Sequence, residues 1–341
     1  MTKTIPVEQA VGMVLPHDIT EIRSEEFKGR AFRKGHIIRE EDIERLKCLG
    51  KENIYVLELG EDDIHENEAA ELMAKALAGP GVEVSGEPVE GKLNLVAAHD
   101  GLLKIEVEAL YQFNLPGEVM CATLHSNTPV KKGEQLAGTR LIPLVAKRGV
   151  VNTAVEVAKK AGGIIRVAQL RQARAGLIIT GNEVFHGRIK DAFEPVLRQK
   201  LEKLGSEVVA VRFAPDHIET IAAEINACLE AGADLIITSG GMSVDPDDVT
   251  RQGIARAGAT DIVYGTPVLP GAMFLIGYIG AVPVLGLPAC GMFHKITIFD
   301  LILPRVLGGE KITRPDVARL GHGGLCRQCK TCAWPVCGFG K

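Results

Sequence analysis

Leu235-Ile-Ile-Thr-Ser-Gly-Gly-Met-Ser-Val-Asp-Pro-Asp-Asp-Val-Thr250 is the stretch that decides the fold. Its first three residues are wholly apolar, too short a run for a helix and followed by turn formers, so they read as a strand buried on both faces. Two adjacent glycines, Gly240 and Gly241, then free the backbone to curl so that successive N–H groups point at an anion, and the hydroxyls of Thr238, Ser239 and Ser243 add donors. Asp245, Asp247 and Asp248 follow at once. Three carboxylates beside an anion-binding turn call for a cation between them, and an all-oxygen set suits Mg2+. The plainer alternative is a solvated acidic loop capping a helix.

The same rhythm extends outward in both directions. Leu177-Ile-Ile179, Glu207 to Phe213 and Val282 to Leu287 read as strands, and Ala192 to Leu204 and Ile218 to Ala231 as amphipathic helices between them. Continuous apolar strands alternating with helices predict an α/β domain over 174–310, three layers deep, with a mostly parallel sheet covered on both faces. Ligands of such a sheet bind beyond the carboxyl ends of its strands. Three more loops fall there. Thr180-Gly181-Asn182-Glu183 turns tightly at Gly181 and sets Glu183 above the sheet edge. Ala214-Pro-Asp-His217 offers Asp216, either as an acid facing the crevice or as the N-cap of the next helix. Leu285-Gly-Leu-Pro-Ala-Cys-Gly-Met292, preceded by Pro267-Val-Leu-Pro-Gly-Ala272, brings Pro270, Gly271, Pro288 and Cys290.

Composition sets the outer bounds. The chain has 341 residues, 46% apolar and 24% charged, which is ordinary for a folding protein of two or three domains. A net charge of −4 gives no basic field for nucleic acid, so an anionic ligand must be met by backbone N–H groups, helix ends or a metal. No apolar core of signal-peptide length follows Lys3, which predicts a cytoplasmic location. The uncharged stretch Ile262 to Phe293 is long enough to span a bilayer, but its glycines and prolines predict buried strands and tight loops, with no membrane segment. Residues 1–78 read as a small α/β unit, with strands at Gly12 to Leu15 and Asn53 to Leu57 and helices at Arg39 to Leu49 and Asp62 to Leu77. Residues 79–173 read as a β-rich module with a linker helix, built from short alternating runs such as Leu93-Asn-Leu95.

Residues 311–341 form a cysteine-rich tail. Of eight cysteines, four stand as Cys326-x2-Cys329-x2-Cys332-x4-Cys337, a ligand spacing for Zn2+ or an iron–sulfur cluster. Gly321-His-Gly-Gly324 ahead of them reads as a flexible hinge, with His322 as an alternative ligand. A loose, reduced tail is the simpler alternative.

The four strand-end loops together resemble the molybdopterin-binding domain shared by molybdopterin molybdenumtransferases and molybdopterin adenylyltransferases. The resemblance runs from Arg174 to about Gly308. It implies Glu183, Asp216 and Asp248 as the acidic, catalytic set, and Mg2+ on Asp216, Asp245 and Asp248. The pterin and its phosphate would be cradled by Thr180, Gly181, Thr238, Ser239, Gly240, Gly241 and Ser243, with Pro270, Gly271, Pro288 and Cys290 completing the pocket. Lys34 to Gly50 looks like a segment of the multidomain molybdenumtransferases and favours that branch. The sequence also departs from the family: Pro270-Gly-Ala-Met273 lacks the family's oxyanion-binding lysine, Asp245-Pro246 moves an acid by one position, and Leu287-Pro-Ala-Cys-Gly291 replaces Leu-Pro-Gly-Asn-Pro. Cys290 is either a soft ligand to molybdenum or a small buried hydrophobe. The resemblance implies a protein of molybdenum-cofactor assembly that binds molybdopterin or adenylated molybdopterin, promotes Mg2+-dependent molybdate insertion, meets molybdoenzyme apoproteins and is a homo-oligomer. Alternatives are a non-catalytic carrier or sensor, and an adenylyltransferase or nucleotide pyrophosphatase of the same fold.

Overall fold

A computed structural model describes residues 2–13, 15–23, 27–57, 60–243 and 245–341. The chain divides into two compact units, one of residues 1–98, 105–124 and 132–166, the other of residues 99–104, 125–131 and 167–341.

The second unit is built on a six-stranded sheet: β1 (Arg174–Thr180), β2 (Glu207–Ala214), β3 (Leu235–Ser239), β4 (Thr260–Tyr264), β5 (Leu275–Ile279) and β6 (Val282–Leu287), in spatial order β2-β1-β3-β6-β5-β4. The first four of these neighbours run parallel, and the β6–β5 and β5–β4 pairings at the edge are antiparallel, so β5 alone runs against the others. Alternate residues of each strand enter different cores, which is why the strands are apolar without interruption. Leu177, Ile179, Leu235, Ile237 and Leu285 face one core, with helices α1 (Phe193–Glu202) and, after a later strand, α4 (Ile298–Leu307); Ile178, Ile236 and Val284 face the other, with α2 (Ile218–Glu230) and α3 (Thr250–Arg256). Gly176 lets α2 lie close on the sheet, because a Cβ there would come 2.7 Å from that of Cys228. Ile262 to Phe293 supplies the end of β4 and all of β5 and β6, and no described helix is long and apolar enough to cross a membrane.

Residues 311–341 belong to this same unit. Helix α5 (Arg314–Arg319) opens with a capping box on Thr313 and Asp316, and Ile312, Val317 and Phe339 are buried in the core that holds α4. The glycine segment before the cysteines is a packed joint, which corrects the expectation of a flexible hinge. Gly324 accepts the Leu269 N–H at 2.8 Å, and a Cβ at Gly324 would come 2.4 Å from the Leu320 carbonyl. Gly323 accepts the Gly340 N–H at 3.0 Å, which ties the chain end back to the joint.

In the first unit, strand Thr2–Pro6 pairs antiparallel with Asn53–Leu57 beside helix Asp42–Cys48, whose Ile43 and Leu46 are buried. The expected strand at Gly12 to Leu15 is instead a turn, with Gly12 at φ +82° and the Met13 N–H on Ala10 O; Val14 lies outside the described residues. The helix expected from Arg39 starts three residues later, since the Asp42 carboxylate accepts the Arg39 N–H and holds a turn. The expected helix Asp62 to Leu77 begins as a strand, Asp63–His65, paired with Val145–Lys147, and becomes helical at Glu66 with His65 accepting the Asn67 N–H. Beyond it lie a four-stranded antiparallel sheet (Val82–Val89, Lys92–Ala97, Gln135–Leu141, Val119–Thr123) and helices Val107–Asn114 and Arg148–Lys160.

Candidate functional site

The carboxyl ends of β1, β2, β3 and β6 stand side by side, and the loops leaving them interlock. The Thr180 hydroxyl donates to Ser239 O at 2.7 Å and lies 3.0 Å from the Thr250 hydroxyl, so the end of β1 is stitched to the end of β3 and to the first residue of α3. The Thr250 N–H returns to Gly241 O at 3.0 Å, and the Gly240 N–H reaches Leu287 O on β6 at 3.3 Å. Within this lattice the turn admits only glycine. Gly240 and Gly241 lie at φ +83° and +60°, and a Cβ on Gly241 would come 2.2 Å from the Thr250 hydroxyl. Two hydroxyls are left over: Thr238 Oγ1 and Ser239 Oγ belong to fully buried residues and have no hydrogen-bond partner. Buried hydroxyls are ordinarily paired, so these two stand out, although neither residue lines the cavity in front of the turn.

In front of this turn is a cavity of about 530 Å³. Gly240, Gly241, Ser243 and Asp248 line one side, Leu269 to Met273 another, and Pro288, Ala289 and Cys290 a third. Leu325, Cys326 and Gln328 of the tail close it. The tail is held there by backbone bonds to the Leu269 peptide, whose carbonyl accepts the Cys326 N–H at 2.8 Å. The Leu269–Pro270 peptide is cis, and Gly271 at φ +124° passes so close to Ile298 that a Cβ would come 2.3 Å from its methyl group. Burial pushes the Cys290 thiol upward, toward the neutral form.

Acidic groups gather at the other end of the turn. Asp216 does not cap α2, correcting that alternative: its carboxylate accepts the Asn182 N–H at 2.9 Å, while its own N–H donates to Asn182 Oδ1 at 3.3 Å, a reciprocal clasp between the loops after β1 and β2. Burial pushes the Asp216 carboxyl above the usual aspartate range; the Asn182 N–H opposes this, and the charges of Glu183, Asp247 and Asp248 add to it. Asp248 likewise caps no helix; it accepts the Asp245 N–H at 2.9 Å and folds the acidic loop on itself. These carboxylates feel one another through space. Among the described residues no three His, Cys, Asp or Glu side chains converge closely enough to hold a metal ion.

A family model described as a probable molybdopterin binding domain matches residues 176–308. This segment belongs to the molybdopterin-binding domain family. A second model, a domain of unknown function, matches residues 4–58. Curated relatives include a CinA-like protein of Mycobacterium avium, 36% identical over 96 residues, which are 28% of this chain and 22% of that protein. The CinA-like protein of Mycobacterium leprae is 39% identical over 84 residues, or 25% and 20% of the two chains. The chain thus spans about a fifth of the length of these relatives. Among solved structures, the molybdopterin biosynthesis enzyme MoaB of Thermus thermophilus is 22% identical and covers 41% of this chain and 98% of its own, with a TM-score of 0.35. The molybdopterin biosynthesis MoeA protein of Pyrococcus horikoshii is 19% identical over 72% of this chain and 79% of its own, with a TM-score of 0.35.

Within the molybdopterin-binding domain the expected residues fall into three groups. Gly240, Gly241, Ser243, Asp248, Pro270, Gly271, Pro288 and Cys290 line the cavity. Glu183 and Asp216 belong to the acidic cluster beside it, and Asp245 supplies a backbone N–H to that loop. Thr180, Gly181, Thr238 and Ser239 lie beneath or behind the turn; Thr180 is consumed in holding it, and Gly181, at φ +137°, makes room for the Glu183 carboxylate 2.9 Å from where its Cβ would stand. Sequence reasoning missed Asn182, Met242, Thr250, Tyr264 and the tail. Asn182 stands inside a quoted loop and differs from its neighbours in being able to give and accept at once, which was the available signal. Tyr264, whose hydroxyl fixes the Met242 carbonyl at 2.6 Å, comes from an edge strand with no motif to announce it.

Proposed function

We propose that this protein binds molybdopterin or adenylated molybdopterin in the 530 Å³ cavity and promotes Mg2+-dependent insertion of molybdate, as a molybdopterin molybdotransferase-like enzyme of molybdenum-cofactor biosynthesis. The observation that carries the reading is the cavity in front of the Gly240-Gly241 turn, with Ser243 and Asp248 on its wall and the buried Thr238 and Ser239 hydroxyls beneath it. Backbone N–H groups and neutral hydroxyls receive a phosphate in a chain that places no lysine in Pro270-Gly-Ala-Met273. Leu269, Met273 and Pro288 give the cavity apolar walls against which a flat ring can pack.

The acidic set is all oxygen, the donor type that a hard divalent cation takes, and burial first, then the charges of Glu183, Asp247 and Asp248, raise Asp216. Asp216, Asp245 and Asp248 do not converge on one point in this structure, so they would hold Mg2+ only once their loops draw together around it; the ion would then supply charge neutralisation at a phosphate. The chain's own part is positional. The Asn182 clasp fixes Asp216, and the Asp245 N–H fixes the orientation of Asp248. Molybdate is substrate here, and molybdoenzyme apoproteins are the acceptors that a finished cofactor implies.

The missing lysine favours a second reading, a carrier or sensor that binds the pterin without turnover. Anaerobic titration of the full chain with molybdopterin and its adenylate, with and without Mg2+ and molybdate, separates the two. AMP release that needs both and disappears in Asp248→Asn supports the transferase. Tight binding without release supports the carrier, turnover of a dinucleotide without pterin supports the pyrophosphatase alternative, and binding of neither pterin overturns the ligand assignment.

A further inference from the structure

The tail encloses a second cavity of about 430 Å³, and all four of its cysteines, Cys326, Cys329, Cys332 and Cys337, are on the wall. We propose that this cavity is the site of a [4Fe–4S] cluster held by these four thiolates. The assignment rests on the tail geometry and stands apart from the pterin reading.

Three observations point the same way. First, all four thiols are free, and Cys329 and Cys332 are exposed. Cysteine without a partner or ligand is normally among the most buried residues, so two held at the surface in one short loop are placed for something other than packing. Second, the charge is one-sided. Lys295, Arg327 and Lys330 line the cavity together with His294, and no Asp or Glu does. Four thiolates around a [4Fe–4S] core with two positive charges leave a net charge of about −2, which this cationic wall offsets. The Gln328 N–H already points at Cys326 Sγ, 3.5 Å away, the kind of N–H···S contact that tunes clusters. Third, the thiols are not gathered for one ion. Tetrahedral zinc with bonds of about 2.3 Å needs its four sulfurs within roughly 4 Å of one another. All four thiols line the cavity, with no three converging on a point among the described residues. The backbone is also pre-set. Cys326 is fixed by its N–H to Leu269 O, and the far end of the loop is anchored by Phe339 in the core.

Loading by ligand exchange changes no oxidation state. Each cysteine thiol displaces one terminal thiolate of a preformed cluster, forms an Fe–S bond and passes its proton to the departing thiolate. The full chain, reduced and anaerobic, is incubated with a synthetic [4Fe–4S] cluster carrying four small thiolates and then desalted. About four iron and four labile sulfide per chain are expected, with a visible absorption that bleaches on reduction and with the four tail cysteines protected from alkylation. Cys329→Ser and Cys332→Ser, at exposed positions that leave the fold intact by circular dichroism, lower the retained iron at least several-fold, whereas Cys48→Ser does not. Retention of no iron by the wild type, equal retention in the Cys329→Ser, Cys332→Ser double variant, or stoichiometric zinc that the cluster fails to displace would each overturn the assignment.

Discussion

Replacing Ser239 by alanine separates the stability of the empty site from its affinity, because the two move in opposite directions. Ser239 is fully buried at the end of β3, and its hydroxyl has no partner. An unpaired buried hydroxyl costs about 1–3 kcal/mol, and removing one oxygen leaves only a small void. The ligand-free Ser239→Ala protein is therefore more stable by about 1 kcal/mol, a rise of roughly 2–4 °C in Tm for a domain of this size. Binding runs the other way. A hydroxyl donating to a phosphate oxygen contributes about 1.5–3 kcal/mol, so its loss weakens the pterin by about ten- to a hundred-fold. Differential scanning calorimetry without ligand gives the first quantity, and equilibrium titration with molybdopterin gives the second. A lower Tm would mean that the hydroxyl is already bonded within the fold. Unchanged affinity would mean that it never meets the ligand, and the cradle argument would fail.

Gly241→Ala must place a Cβ 2.2 Å from the Thr250 hydroxyl at φ +60°, so it costs about 2 kcal/mol or more in urea unfolding, and a neutral result would refute the interlocked turn. Asp216 has a folded-state pKa raised by burial and by neighbouring acids, so the folded state loses stability as pH rises from the unfolded value of about 3.9 through the raised one. Asp216→Asn keeps an oxygen for the Asn182 N–H and loses the charge. Its Tm therefore exceeds the parent's at neutral pH without divalent cation, and the gap closes below about pH 4; a pH-independent difference would argue against the acidic cluster. Phe339→Ala removes a ring that is 5% exposed and packed with the α4 core, so it costs about 3 kcal/mol in denaturant unfolding, whereas no loss would mean that the tail is not docked.

The parallel sheet was legible because its signal is one-dimensional. Leu177-Ile-Ile179 and Leu235-Ile-Ile237 are apolar at every position, and only a strand with a core on each side asks for that. The Gly240-Gly241 turn was legible for a similar reason, since a backbone demand on φ writes itself into residue type. What stayed hidden depended on pairing at a distance. Asp216 reads equally well as a helix cap or as half of a clasp until Asn182 is seen to reach it from 34 residues away. The strand Asp63–His65 was concealed in a helical pattern because its partner, Val145–Lys147, lies far along the chain. The glycines at 321–324 look like a hinge in sequence, and in the fold Gly323 and Gly324 are where backbone passes too close for any side chain.

The most consequential hidden feature is that Leu325, Cys326 and Gln328 face both cavities of the second unit. The tail is fixed to the same Leu269 peptide that precedes Pro270 and Gly271 on the pterin wall. A cluster that draws Cys326 toward iron must move, or hold, a residue against which the pterin packs. Thermodynamic linkage makes the effect reciprocal: whatever factor the cluster imposes on pterin affinity, the pterin imposes on cluster retention. The two ratios are measured independently, one by pterin titration of loaded and unloaded protein, the other by iron release to a chelator with and without pterin. Equal factors different from one establish that the two cavities work as one device. Factors of one in both leave Cys326 as a shared wall and nothing more.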